Sequence, residues 1–254
     1  MLDQFKLNGR VALVTGAGRG LGQAMALALA EAGADVAGLD RSDGAVTAEA
    51  IQALGRRYMH YSVDLRQAGV ADLNAIVEQV TATLGRLDIL VNNAGTIRRT
   101  PALEFSETDW DDVLDINLKS VFFLSQAAGK VMAAQPEGGK IINIASMLSF
   151  QGGITVPSYT ASKSGLAGLT RALANEWAGK NINVNAIAPG YMATDNTAPL
   201  RADEERSASI LGRIPAGRWG TPDDLKGIVV FMASDAARYL HGAIVPVDGG
   251  WLAR

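Results

Sequence analysis

The chain has 254 residues, with 28 glycines, two histidines, no cysteine and a formal charge of −3. These counts exclude disulfides, a cysteine nucleophile, thiolate-held zinc or iron–sulfur centres and a three-histidine metal site, and they offer no polybasic footprint for nucleic acid. No apolar run reaches the roughly 18 residues a membrane span needs, and MLDQFKLNGR carries Asp3, Lys6 and Arg10 where a secretory leader would be apolar, so a cytoplasmic chain without a membrane partner is expected.

From Arg10 onward short apolar runs alternate with longer segments of helical period. VALVT (11–15) predicts a first strand, followed by a helix over 21–32; DVAGLD (35–40) predicts a second, followed by a helix over 43–55. The weaker strand YMHYSVD (58–64) precedes a helix over 68–84, and LDILVN (87–92) precedes one long helix over 107–134. KIINIAS (140–146), a helix over 158–179, INVNAIA (182–188), a helix over 222–234 and AIVPVD (243–248) complete the pattern. Strands apolar throughout are buried on both faces, and strand–helix alternation feeds right-handed crossovers, so the class expected is α/β, one domain built on a doubly wound parallel sheet. Residues 191–220 break the rhythm beyond a strand's carboxyl end, where a segment that long is expected to be a lid or binding element.

After the first strand, TGAGRGLG (15–22) opens an Ala-rich helix. Gly16, Gly20 and Gly22 allow a tight turn against a pyrophosphate, with Arg19 and Leu21 between them and the free amides of the helix start facing the anion. Asp40, 18 residues past Gly22, ends the second strand. A carboxylate there accepts from a ribose 2′-hydroxyl and repels a 2′-phosphate, favouring NAD; Arg19 and Arg41 pull toward NADP, which stays open. Asp64 and Leu65, after the third strand, fit an adenine contact, and Asn92, Ala94 and Gly95 in NNAG fit backbone approach to the adenosine ribose.

Ser146 ends the fifth strand, and Tyr159 and Lys163 in YTASK share one face of the helix over 158–179. A tyrosine titrates near 10 and is a poor base at neutral pH, but a neighbouring ammonium lowers that value, so the pair can exchange a proton with a hydroxyl or carbonyl that Ser146 also holds.

TGAGRGLG, NNAG, Ser146, YTASK and IAPG (187–190), in that order, resemble the short-chain dehydrogenase/reductase family. The resemblance implies a Rossmann-type domain with a seven-stranded parallel sheet, assembled as a homotetramer. It implies a catalytic tetrad of Asn117, Ser146, Tyr159 and Lys163, the asparagine supporting a proton relay through the lysine. Lys163 and Tyr159 would also hold the nicotinamide ribose, and Pro189, Gly190, Met192 and Thr194 would meet the nicotinamide. Much of the C-terminal two-thirds resembles members acting on small sugar acids in pectin breakdown, whose carboxylate needs a cation. Arg98, Arg99, Arg213, Arg218 and Arg254 are the candidates, Arg98 and Arg213 first, with Met147 and Gln151 lining the pocket beside Ser146 and Tyr159. The alternatives are another reductase using the same tetrad and a non-catalytic nucleotide sensor. A serine hydrolase is disfavoured, because the chain has no G-x-S-x-G elbow and no S-x-x-K pairing.

Overall fold

The computed structural model describes residues 1–253, so Arg254 lies outside the described residues. Seven strands form one parallel sheet: β1 Val11–Thr15, β2 Asp35–Asp40, β3 Tyr58–Ser62, β4 Ile89–Asn92, β5 Gly139–Ile144, β6 Ile182–Pro189 and β7 Ile244–Val247. Their spatial order is β3-β2-β1-β4-β5-β6-β7. The order reverses between β1 and β4, which opens a crevice at the carboxyl ends of those strands.

Alternate side chains of each strand feed opposite faces. Ala12 and Val14 of β1 enter one core with Ile89, Val91, Ile142 and Ile144, while Val11 and Leu13 enter the other with Leu90, Ile141 and Val184. Helices α1 (Gly20–Glu31) and α9 (Lys226–Ala233) cover the first face; α3 (Val70–Leu84) and α5 (Ser120–Ala134) pack on the second. This is the α/β doubly wound arrangement expected. The edge strands β3 and β7 are only half-buried, because a strand with one neighbour is covered less than a central one.

The expected long helix over 107–134 is two helices. Ser106 caps α4 (Glu107–Leu114) by accepting from the Asp109 amide at 3.1 Å, and a wide π turn over Asp115–Lys119 then leads into α5. Such single turns absorb an extra residue and re-aim a side chain, here Asn117. The expected helix over 222–234 starts as a tight 3₁₀ turn, Pro222–Leu225. Helix α2 (Ala45–Ala53) follows β2 and helix α6 (Pro157–Trp177) runs back from the crevice, begun by a proline that suits a helix's first turn. Residues 191–220 contain two short helices, α7 (Ala198–Ala202) and α8 (Glu204–Leu211).

Candidate active site

At the end of β1 the Gly16 amide donates to the Leu39 carbonyl at 2.7 Å, and Gly16 adopts φ +68°, a conformation that disfavours side chains. A Cβ on Gly22 would run into the Gly16 carbonyl, so the turn closes only with glycine there. The Gly18 amide donates to Asp40 Oδ2 at 2.9 Å, and the Ser42 amide and hydroxyl both donate to Asp40 Oδ1 at 2.9 Å. Burial raises the proton affinity of Asp40, but these hydrogen bonds outweigh it and hold the carboxyl below its ordinary range, so a negative charge stands beside the turn. The glycine turn, the helix start at Gly20 and this carboxylate fit a dinucleotide's pyrophosphate and adenosine ribose. Ser42 escaped the sequence reading, although a hydroxyl two residues after an aspartate is a recognisable local partner.

The Arg41 guanidinium leans toward Asp64 at 4.0 Å. Asp64 also accepts from the Arg66 amide at 3.0 Å, and Leu65 is buried in the second core. The Asn92 side chain turns inward rather than toward a ligand. It is 2% exposed and donates to Ser125 Oγ at 3.0 Å and Asn143 Oδ1 at 2.9 Å, so only its backbone can face the crevice. Asn93 Nδ2 donates to the Thr15 carbonyl at 2.9 Å, and the Ala94 amide donates to Thr15 Oγ1 at the same distance, tying NNAG to the glycine turn.

Ser146 at the end of β5, Tyr159 and Lys163 on α6, and Asn117 on the π turn converge at the sheet's carboxyl edge. The Tyr159 hydroxyl is pushed above its ordinary value by burial, which outweighs the opposing hydrogen bond from Ser146 and the positive charge of Arg99. That corrects the expectation of a phenolate promoted by Lys163. The ammonium instead donates to the Ile144 carbonyl at 2.6 Å, with its nitrogen 5.7 Å from the Tyr159 ring centre. Burial drives Lys163 down to about 8. Asn117 exchanges hydrogen bonds with Thr96, accepting from its amide at 2.8 Å and donating to its carbonyl at 2.9 Å, and donates to Ser162 Oγ at 3.2 Å. A Cβ on Gly95 would stand 3.2 Å from Asn117 Oδ1 and 3.8 Å from Lys163 Nζ, so NNAG and the tetrad share one space.

The substrate-side arginines separate. Arg98 is committed elsewhere, with Nε on Asp109 at 3.1 Å and Nη2 on Asp112 at 2.8 Å, which corrects its place among the first carboxylate candidates. Arg99, its exposed neighbour, is the one whose charge reaches Tyr159. Arg218 pairs with both oxygens of Asp224 at 2.7 Å. Arg213 lies 4.0 Å above the Trp251 ring, and Trp251 Nε1 donates to Gln151 Oε1 at 3.3 Å. Met147 packs in the same cluster as Trp251.

Past Pro189 and Gly190, the Met192 side chain is buried against Gly220, leaving its backbone for any ligand. Thr194 is held by Thr197, whose Oγ1 accepts from its amide at 3.1 Å. Arg19 reaches from the glycine turn to Asp195 Oδ2 at 2.9 Å, joining that turn to the 191–220 segment. Sequence reading also missed Thr155, whose φ of +61° is unusual for a branched residue. The Thr100 amide donates to its carbonyl at 2.9 Å, so the two loops that flank Tyr159 brace each other.

The family model described as "Enoyl-(Acyl carrier protein) reductase" matches residues 16–252. The chain is 62% identical to the 2-dehydro-3-deoxy-D-gluconate 5-dehydrogenase of Escherichia coli K12 and 59% identical to that of Dickeya dadantii 3937, over 254 residues and the full length of each chain. It superimposes with a TM-score of 0.92, at 55% identity and covering 99% of both chains, on a proposed 2-deoxy-D-gluconate 3-dehydrogenase from Agrobacterium tumefaciens with bound NADP. With its parallel sheet, glycine turn and Ser–Tyr–Lys cluster in the order of the known members, the chain belongs to the short-chain dehydrogenase/reductase family.

Proposed function

We propose that this protein is a 2-dehydro-3-deoxy-D-gluconate 5-dehydrogenase, interconverting that sugar acid and 3-deoxy-D-glycero-2,5-hexodiulosonate at C5. The observation that carries the reaction is the half-buried Tyr159 beside Ser146, at the carboxyl edge of the sheet and next to the dinucleotide cradle. The substrate is supported by full-length identity to relatives of that name.

When bound, the nicotinamide cofactor supplies the hydride in reduction and accepts it in oxidation. Tyr159, a neutral phenol at pH 7, donates its proton to the C5 carbonyl oxygen of the diulosonate, and Ser146 donates a hydrogen bond to the same oxygen. The phenolate formed is stabilised by the charge of Arg99 and is reprotonated through Lys163. Asn117 anchors the Thr96 backbone beside Gly95, keeping that wall of the site in place. In oxidation the same groups run in reverse.

NAD is the proposed cofactor, because the Asp40 charge stands where a 2′-phosphate would come and neither Arg19 nor Arg41 turns toward it: one is paired with Asp195, the other leans on Asp64. The presence of NADP in the Agrobacterium protein, and in similar structures from Beutenbergia cavernae and Burkholderia cenocepacia, favours NADP instead. Gly16, Gly20, Leu21 and Gly22 would hold the pyrophosphate; Asp64, Leu65, Asn92, Ala94 and Gly95 the adenosine; Tyr159, Lys163, Pro189, Gly190, Met192 and Thr194 the nicotinamide riboside. Residues 191–220 are proposed as a lid, supported by the Arg19–Asp195 contact that spans the cleft. A homotetramer in the cytoplasm, serving pectin and uronate breakdown, completes the reading and rests on the family resemblance.

An NADH-oxidation assay against a panel of keto-sugar acids and acyl thioesters tests it. The diulosonate is expected to have the highest kcat/KM. Faster turnover of the acyl thioesters overturns the substrate assignment, and activity retained in Tyr159→Phe overturns the mechanism.

A further inference from the structure

Trp251 sits in the last turn of the described chain, 4% exposed, yet three separate segments meet on it. Arg213, from the proposed lid, lies 4.0 Å over its ring. Gln151, five residues past Ser146, takes its indole N–H at 3.3 Å. Tyr191, next to Gly190, meets it edge-on at 4.9 Å between ring centres. Met147, Ile210 and Ile214 close the cluster.

The chemistry of these contacts leaves a specific set of donors over. An indole nitrogen only donates, so Gln151 must present its carbonyl oxygen to Trp251, which directs its amide NH₂ elsewhere as a donor. A guanidinium stacked on an aromatic ring uses its face, leaving the in-plane N–H edges for a carboxylate. Among the described residues no carboxylate pairs with Arg213, whereas Arg98, Arg218 and Arg19 are all engaged. Arg99 acts at Tyr159, where C5 reacts, and the substrate's carboxylate lies at the other end of the sugar acid.

We propose that Arg213 and the Gln151 amide form the subsite for the substrate carboxylate, and that Trp251 is the positioning residue that fixes both. This rests on the proposed sugar-acid substrate. It makes the chain's final turn part of substrate recognition and couples carboxylate binding to the position of the 191–220 segment.

Steady-state kinetics on Arg213→Ala, Arg213→Lys, Trp251→Phe and Trp251→Ala test this, using the diulosonate and its neutral carboxamide, with NADH affinity and Tm measured in parallel. Arg213→Ala is expected to raise KM for the acid by about 10- to 100-fold, with little change in kcat, in NADH affinity or in turnover of the carboxamide. Arg213→Lys recovers only part of the loss, since an ammonium cannot bind bidentately. Trp251→Phe keeps a ring under the guanidinium but frees Gln151, and a smaller rise in KM is expected, again only for the acid. In a double variant, Trp251→Ala adds little to Arg213→Ala, as it acts through the same contact. The proposal is overturned if Arg213→Ala leaves KM for the acid unchanged, or if the Arg213 and Trp251 variants impair acid and carboxamide alike. Should the wild type turn over no sugar acid, the proposed function fails instead; the subsite is then decided by calorimetric binding of gluconate to the NADH complex, wild type against Arg213→Ala.

Discussion

The Gly18 amide donates to Asp40 Oδ2 at 2.9 Å, so the phosphate turn and the end of β2 are one hydrogen-bonded unit. A residue that reads as a ribose ligand therefore also shapes the turn before it.

Asp40→Ala is accordingly expected to do two things. Removing the charge lowers the ratio of kcat/KM for NAD over NADP by about 10- to 100-fold, because the carboxylate no longer accepts from the ribose or repels a phosphate. Losing the bonds from Gly18 and Ser42 also weakens NAD binding outright. An unchanged ratio in paired NADH and NADPH assays defeats the assignment of Asp40 to the ribose.

The two active-site shifts set the pH dependence. Burial raises Tyr159, so its proton is available for reduction across the neutral range, while Lys163 loses its charge near pH 8. Reduction is expected to plateau on the acid side and fall as pH rises through about 8; oxidation, which needs a neutral Lys163 amine to take the proton passed on by Tyr159, rises over the same interval. Reduction that accelerates between about pH 6 and 9 contradicts this. The measurement is kcat in each direction at saturating substrates.

Lys163 also ties activity to stability. Its folded value of about 8 lies below the ordinary 10.5, so the unfolded chain holds the proton more tightly. The penalty is complete below pH 8 and vanishes as pH rises to 10.5, where both states are neutral. A shift of that size corresponds to about 3 kcal/mol, from which losing the bond to the Ile144 carbonyl subtracts about 1. Lys163→Met is expected to raise stability at pH 7 by ~1–2 kcal/mol in urea unfolding while cutting turnover about 10²- to 10⁴-fold. Lower stability in the variant shows that the buried charge costs less than the lost packing and hydrogen bond.

Arg19 and Asp195 are both largely exposed, so Arg19→Ala should change unfolding free energy by less than about 1 kcal/mol. Its effect belongs to the 191–220 segment. Trypsin cleavage after Arg201 or Arg206 is expected to slow when NADH and the diulosonate are bound, and to be less protected in Arg19→Ala. Equal cleavage with and without ligands argues against a lid.

Much of this molecule is legible in its residues because the periodic signals are local. β1 and β2 occur where VALVT and DVAGLD place them, since a doubly covered strand must be apolar at consecutive positions. The glycine turn is legible for a similar reason: backbone that closes against backbone tolerates no Cβ, as Gly22 shows. The break in the helix over 107–134 was not legible, because the π turn at Asn117 is held by hydrogen bonds to Thr96 and Ser162, residues distant in sequence.

The fold class, the dinucleotide cradle and the residue types of the Ser–Tyr–Lys cluster can be read from the order of residues, because all of them depend on spacing along one strand or helix. Which charges are free to act emerges from the folded arrangement. Arg98 and Arg99 are neighbours in the chain, yet one is spent on Asp109 and Asp112 while the other's charge reaches Tyr159. Lys163 sits one helical turn from Tyr159 but spends its ammonium on Ile144, and Arg213 finds a tryptophan from the last turn of the chain. Electrostatic partners are chosen by distance and burial in three dimensions, and neither is written in the order of the residues.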